Sequence, residues 1–120
     1  MQVFRLLLAI LCVGVIAYTV PVVAEHGLGL LPIFFGAMFE MDWPGQFNLD
    51  FMGFLILSGC WLAWRHQGSP AGIALGVLGF FGGIPVLTAY LLIVSGREGV
   101  DAAILLLGPE RAAKLRDSSA

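Results

Sequence analysis

PAGIALGVLGFFGGIPVLTAYLLIVSG, residues 70–96, decides how the chain is read, because it carries no charge over its whole length. At ~1.5 Å per residue a helix over this stretch is roughly 40 Å long, against a hydrocarbon core of ~30 Å. Two further stretches resemble it. Leu6 to Ala24 holds no ionisable group except Cys12 and Tyr18, and Phe47 to Trp64 holds a single carboxylate, Asp50. As helices these cover roughly 28 and 27 Å. The pattern predicts an all-α fold: an integral membrane three-helix bundle with spans at about 3–24, 47–64 and 70–96.

Composition supports a lipid-solvated chain. Of 120 residues 59% are hydrophobic and only 12% charged, with a mean hydropathy of +0.95, whereas soluble domains are about a quarter charged. One transmembrane domain over 1–98 is expected, followed by a polar surface tail over 99–120. The net charge of −2 and the lack of a basic run exclude nucleic-acid binding. Cys12 and Cys60 form no CxxC and no zinc spacing with histidine. Each reads as a small apolar side chain, although an antiparallel pair of spans places both thiols in one leaflet.

The first span has a rival reading. A short positive start, an apolar run and Val22-Val23-Ala24 also describe a cleavable signal peptide. The run is long enough to cross a bilayer, and a retained helix is preferred.

Between spans one and two, Glu25 to Gln46 is too long for a turn. Its apolar middle, about 31–41, predicts a short interfacial helix with Pro32 in the first turn and Phe34, Phe35, Met38 and Phe39 toward lipid or bundle. Trp43-Pro44-Gly45 reads as a turn and Asn48 as the N-cap of span two. That span closes on Trp61, Trp64, Arg65 and His66, an aromatic belt followed by a cation. The short link to Pro70 makes spans two and three antiparallel neighbours.

In span three Gly72, Gly76, Gly79 and Gly83 fall on one helical face, a close-packing surface for another span of this chain or of a second copy. Pro85 predicts a kink, since it lacks an N–H and clashes with the preceding turn. The tail carries Glu110 and Lys114 as an i,i+4 pair on an amphipathic surface helix. Arg5 and Arg65 place the N-terminus in the cytoplasm by the positive-inside rule, in the inner membrane of a cell. An odd number of spans then sends Arg97, Arg111, Lys114 and Arg116 outside, which conflicts with the same rule.

Asp50 is the residue that most requires explanation, because an Asp at the centre of a span costs ~2.5–3.5 kcal/mol. Two residues beyond an Asn48 cap it meets the positive end of the helix dipole. The functional alternative is a polar pocket in the outer half formed with Glu25, His26, Tyr18, Thr88 and Tyr90. His26 and His66 lie at opposite faces and cannot jointly hold a haem. No nucleophile–base arrangement or phosphate loop is visible, so no enzyme, no metal and no cofactor is expected.

The order Glu25-His26-Gly27, Asn48-Leu49-Asp50, Gly83-Ile84-Pro85 and Tyr90-Leu91 resembles a family of short three-span bacterial integral membrane proteins of unknown function, over roughly Leu6 to Gly96. The resemblance implies a three-helix membrane fold and a retained first helix, and no particular activity. The expectation is a small non-enzymatic scaffold or accessory subunit in the bilayer, packing laterally through its glycine face against other membrane helices, as a homo-oligomer or in a larger complex. Its rivals are an oligomeric transport or channel unit using Asp50, and a binder of a lipophilic cofactor such as a quinone or pigment using Trp61, Trp64 and the Phe-rich loop between spans one and two.

Overall fold

A computed structural model describes residues 1–119. They form six helices: α1 (Gln2–His26), α2 (Leu30–Phe39), α3 (Trp43–Arg65), α4 (Pro70–Ser95), α5 (Ala102–Leu107) and α6 (Pro109–Ser119). Three of them, α1, α3 and α4, are long and apolar enough to cross a membrane. The helical bundle with a short helix after the first long one and a polar helical tail is as the sequence predicts. The principal extents are 55 × 26 × 26 Å.

The start of α3 differs from expectation. Asp42, not Asn48, is the N-cap, and its carboxylate accepts the Gly45 N–H at 3.3 Å. Trp43 and Pro44 are the first helical residues, where proline's missing N–H costs nothing. Asn48 is left inside the helix and donates its amide to the Phe34 carbonyl at 3.1 Å. Gly45 lies against the backbone of Ala37 and Met38. α2 therefore folds back over the first two turns of α3.

The link from α3 to α4 is tight, with Gln67 and Gly68 both at positive φ. Ser69 caps α4, its hydroxyl accepting the Gly72 N–H at 3.1 Å. From there α4 runs antiparallel to α3. A β-carbon on Gly76 would lie 2.7 Å from the Gly59 carbonyl oxygen, and one on Gly59 would lie 2.8 Å from that of Gly76. Gly72 meets His66 and Ala63 in the same way, and Gly79 meets Leu62. The glycine face is thus covered by α3 within one chain and is not open to a second copy. Close backbone approach of this kind is the main source of helix packing in lipid.

Gly83 breaks α4. Its backbone sits at φ 62°, ψ −144°, a region that only glycine occupies without strain. Pro85 then falls in the first turn of the second half, where its ring is tolerated, so the interruption arises at Gly83 and not from a proline kink. The two halves run side by side. A straight helix would hold Gly72 and Tyr90 about 27 Å apart, yet the His66 β-carbon touches the Gly72 position and its ring Nε2 lies 2.6 Å from the Tyr90 hydroxyl. Further along, Arg5 of α1 donates to Ser95 Oγ at 2.8 Å and to the Leu92 carbonyl at 2.9 Å. Cys12 Sγ lies 3.9 Å from the Pro85 carbonyl.

α4 is therefore a helical hairpin that enters from one end of the molecule, turns at Gly83 and returns to the same end. Its halves, residues 70–82 and 84–95, are each about 18–20 Å long, short of a ~30 Å crossing. The first half packs on α3 and the second on α1. Non-helical backbone at membrane depth is tolerated only when protein surrounds it, and here Phe51 and Leu55 of α3 lie 3.6 and 3.7 Å from a β-carbon position on Gly83.

Candidate functional site

The hairpin divides the molecule into two unlike ends. At the near end, where both halves of α4 terminate, Arg65 organises a polar cap. Its side chain is only 7% exposed. Nε donates to the Leu105 carbonyl at 2.7 Å, Nη2 to Ile104 at 3.0 Å and Nη1 to the Tyr90 hydroxyl at 2.8 Å. The carbonyls of Ile104 and Leu105 are end groups of α5; the first also accepts the Gly108 N–H at 2.9 Å, and a cation is favoured there. Gly108 fits over the Arg65 carbonyl, 3.0 Å from the position of a β-carbon.

Tyr90 accepts from Arg65, and its hydroxyl stands within bonding distance of His66 Nε2. It donates to that nitrogen when Nε2 is unprotonated and accepts from it when Nε2 carries the proton. Burial first, then the charges of Arg65 and Arg97, hold the His66 pKa below its ordinary 6.5. The Trp61 ring stacks edge-on against Tyr90 with centroids 6.1 Å apart, and its Nε1 donates to the Leu106 carbonyl at 3.0 Å. Arg111 lies 4.0 Å over the Trp64 ring and also binds the Trp64 carbonyl. Asp101 caps α5 through the Ile104 N–H at 2.9 Å and pairs with Arg116. Those two contacts, the N–H first, lower its pKa. A cavity of about 580 Å³ beside Arg65 is walled by His66, Arg97, Glu98 and Glu110 among others. Its two arginines and two carboxylates balance.

All six cations, Arg5, Arg65, Arg97, Arg111, Lys114 and Arg116, belong to this near end, with Glu98, Asp101, Glu110 and Asp117. The far end and the layer between hold Glu25, Glu40, Asp42 and Asp50 and no cation. The net charges are +2 and −4, which sum to the chain's −2. The conflict between the basic tail and the positive-inside rule disappears, since the turn at Gly83 returns the tail to the side of Arg5 and Arg65.

The expected polar pocket does not assemble. Tyr90 is in the near-end cap. Thr88 is 1% exposed and its hydroxyl donates to the Ile84 carbonyl at 2.7 Å. Glu25 and His26 are exposed and 3.8 Å apart. Tyr18 is 78% exposed and Asp50 is also exposed. Nor does a dipole account for Asp50, which stands two turns inside α3 because the helix begins at Trp43. Cys12 lies at the hairpin tip and Cys60 faces outward, both as free thiols. Among the described residues no three His, Cys, Asp or Glu side chains are grouped as metal ligands.

Beyond Gly83 the bundle is half empty. No part of α4 extends there to pack on α1, which is exposed at Val13, Ile16, Tyr18, Val20 and Val22. On α3 the residues Trp43, Phe47, Phe54 and Leu57, all more than half exposed, form one stripe with Asp50 at helical spacing. Trp43 and Trp64 are about 31 Å apart along the axis, the thickness of the apolar layer between two aromatic belts. Asp50 is about 10 Å inside the far belt, and no described side chain or backbone group bonds to it. Comparison with protein-family models, curated proteins and solved structures returns no match.

Proposed function

We propose that this chain is a small non-enzymatic accessory protein of the cytoplasmic membrane that acts by lateral association in the half of the bilayer beyond Gly83. The observation that carries this reading is the open far half: past Cys12, α1 is exposed at Val13, Ile16, Tyr18, Val20 and Val22, with no helix of the described residues laid along it. The near half is internally filled, by the hairpin in the apolar layer and by α5 and α6 at its surface. The glycine face is spent on α3, so association uses a different surface from the one that the sequence suggests. With all cations at the near end, the positive-inside rule favours a cytoplasmic near end, with the start of α1 and the helix α6 on that side.

Trp61 and Trp64, two of the aromatics that a quinone or pigment would use, are engaged by Leu106 and Arg111, which favours lateral association over that alternative. Crosslinking tests the reading. With Cys12 and Cys60 replaced by serine, single cysteines at Ile16, Val20 and Val22 carry a photoreactive group in intact membranes. Protein–protein adducts are expected from these sites and not from Leu8, which is buried under the hairpin. Lipid adducts alone from all three would end the proposal.

A further inference from the structure

Apolar exposure by itself identifies no partner in lipid, because acyl chains solvate it as well as protein does. Asp50 is different. Its carboxylate sits in the apolar layer on an open face and has no donor among the described residues. Tyr18 is the complementary case: a hydroxyl on an open stretch of α1, with no hydrogen-bond partner among the described residues.

The two lie at similar depth. Asp50 is fifteen residues from Arg65, about 22 Å along α3, and Tyr18 is thirteen residues from Arg5, about 20 Å along α1. Arg5 and Arg65 share the near end, where they hold Leu92 and Ser95 on one side and Tyr90 on the other. The depths therefore agree to within about a turn and a half, a gap that a tyrosine side chain covers.

Resting on the lateral-association reading, we propose that the occupant of this face is a second copy of the same chain, in the same orientation, with the Tyr18 hydroxyl of each copy donating to the Asp50 carboxylate of the other. Charge distribution argues for this pairing. Every copy inserts with its six cations at the near end, so a second copy brings no cation to the level of Asp50 but does bring a hydroxyl. A two-fold axis along the membrane normal makes the contact self-complementary and forms both bonds at once. It also supplies the far half of α1 with the helix it lacks.

The test is the mass of the purified full-length protein in lipid nanodiscs or liposomes over a range of protein-to-lipid ratios. A dimer is expected. Each interhelical bond is worth roughly 3- to 20-fold in association, so loss of both bonds weakens the dimer by about 10- to 400-fold. Asp50→Leu and Tyr18→Phe should each show this loss, and the double variant should be no weaker than the worse single one. Asp50→Asn keeps an acceptor oxygen and should retain part of the affinity.

A protein that stays monomeric at every ratio overturns the proposal, as does a dimer whose dissociation is unchanged by either substitution. A monomer that nonetheless crosslinks through α1 to a different membrane protein also overturns it, while leaving lateral association standing. Lipid adducts alone from α1 end both.

Discussion

The Tyr90 hydroxyl lies 2.6 Å from Nε2 of His66, twenty-four positions earlier in the chain, although the uncharged run between them is long enough to pass straight through a bilayer. That bond and its neighbour, Arg65 to Tyr90 at 2.8 Å, tie the returning half of α4 to the end of α3.

Topology follows directly. Single cysteines at Gln2 and Lys114 should react with a membrane-impermeant maleimide from the same side of sealed vesicles, and one at Gly27 from the opposite side. Labelling of position 114 together with position 27 would show that α4 crosses the membrane and would contradict the hairpin.

The turn depends on Gly83. Any side chain there must adopt φ 62°, ψ −144°, a cost of about 1–3 kcal/mol. The space itself is adequate, with the nearest atoms of Phe51 and Leu55 at ordinary contact distance. Gly83→Ala should therefore lower stability by that amount in denaturant titration, while Gly82→Ala at the same turn is opposed by Val86 contact and not by its φ. An unchanged Gly83→Ala protein would mean the turn is not formed.

The glycine face should behave as a folding contact. Gly76→Leu forces α4 away from the Gly59 carbonyl, an overpacking cost of about 1–3 kcal/mol or more. Unfolding measurements should register it, and the dissociation constant of the copies should not. The reverse result would assign the face to association.

Stability should fall in mild acid through His66. Its pKa is below 6.5 in the folded chain, so near that pH the unfolded chain binds more protons. The stabilisation is complete above about pH 6.5 and is lost as pH drops from there toward the folded value. Unfolding midpoints between pH 7.5 and 5.5 should show this decline, and His66→Asn should flatten it. A decline of equal size in the variant would move the cause elsewhere.

Arg65 should anchor the tail. Replacing it by Met leaves the Leu105 carbonyl without a side-chain donor and the Ile104 carbonyl with only the Gly108 N–H, and each charge-assisted bond is worth about 1.5–3 kcal/mol. Faster amide exchange across α5 and α6, with α1 and α3 unaltered, is the expected signature.

What was legible in the sequence is the solvent. Apolar length and the aromatic pair Trp61 and Trp64 mark α1, α3 and α4 as lipid-embedded, because hydropathy measures transfer into hydrocarbon. Asn48 is not the cap because Asp42, a better-placed acceptor, stands before Trp43-Pro44-Gly45, a tripeptide that suits a turn and a first helical turn alike. In the sequence Arg65 reads as a belt cation only, and nothing in its spacing points to Ile104 or Leu105 some forty positions on.

Composition and patterning alone thus determined the helical class, the lipid environment and the closely packing glycine face, each a property of residues within one segment. Only the tertiary structure decided that the third helix turns back, because an uncharged run is equally soluble in acyl chains whether it crosses or folds on itself. The direction came from long-range bonds, Arg5 to Ser95 and Tyr90 to His66, and these brought every cation to one end while leaving Asp50 alone in the layer above.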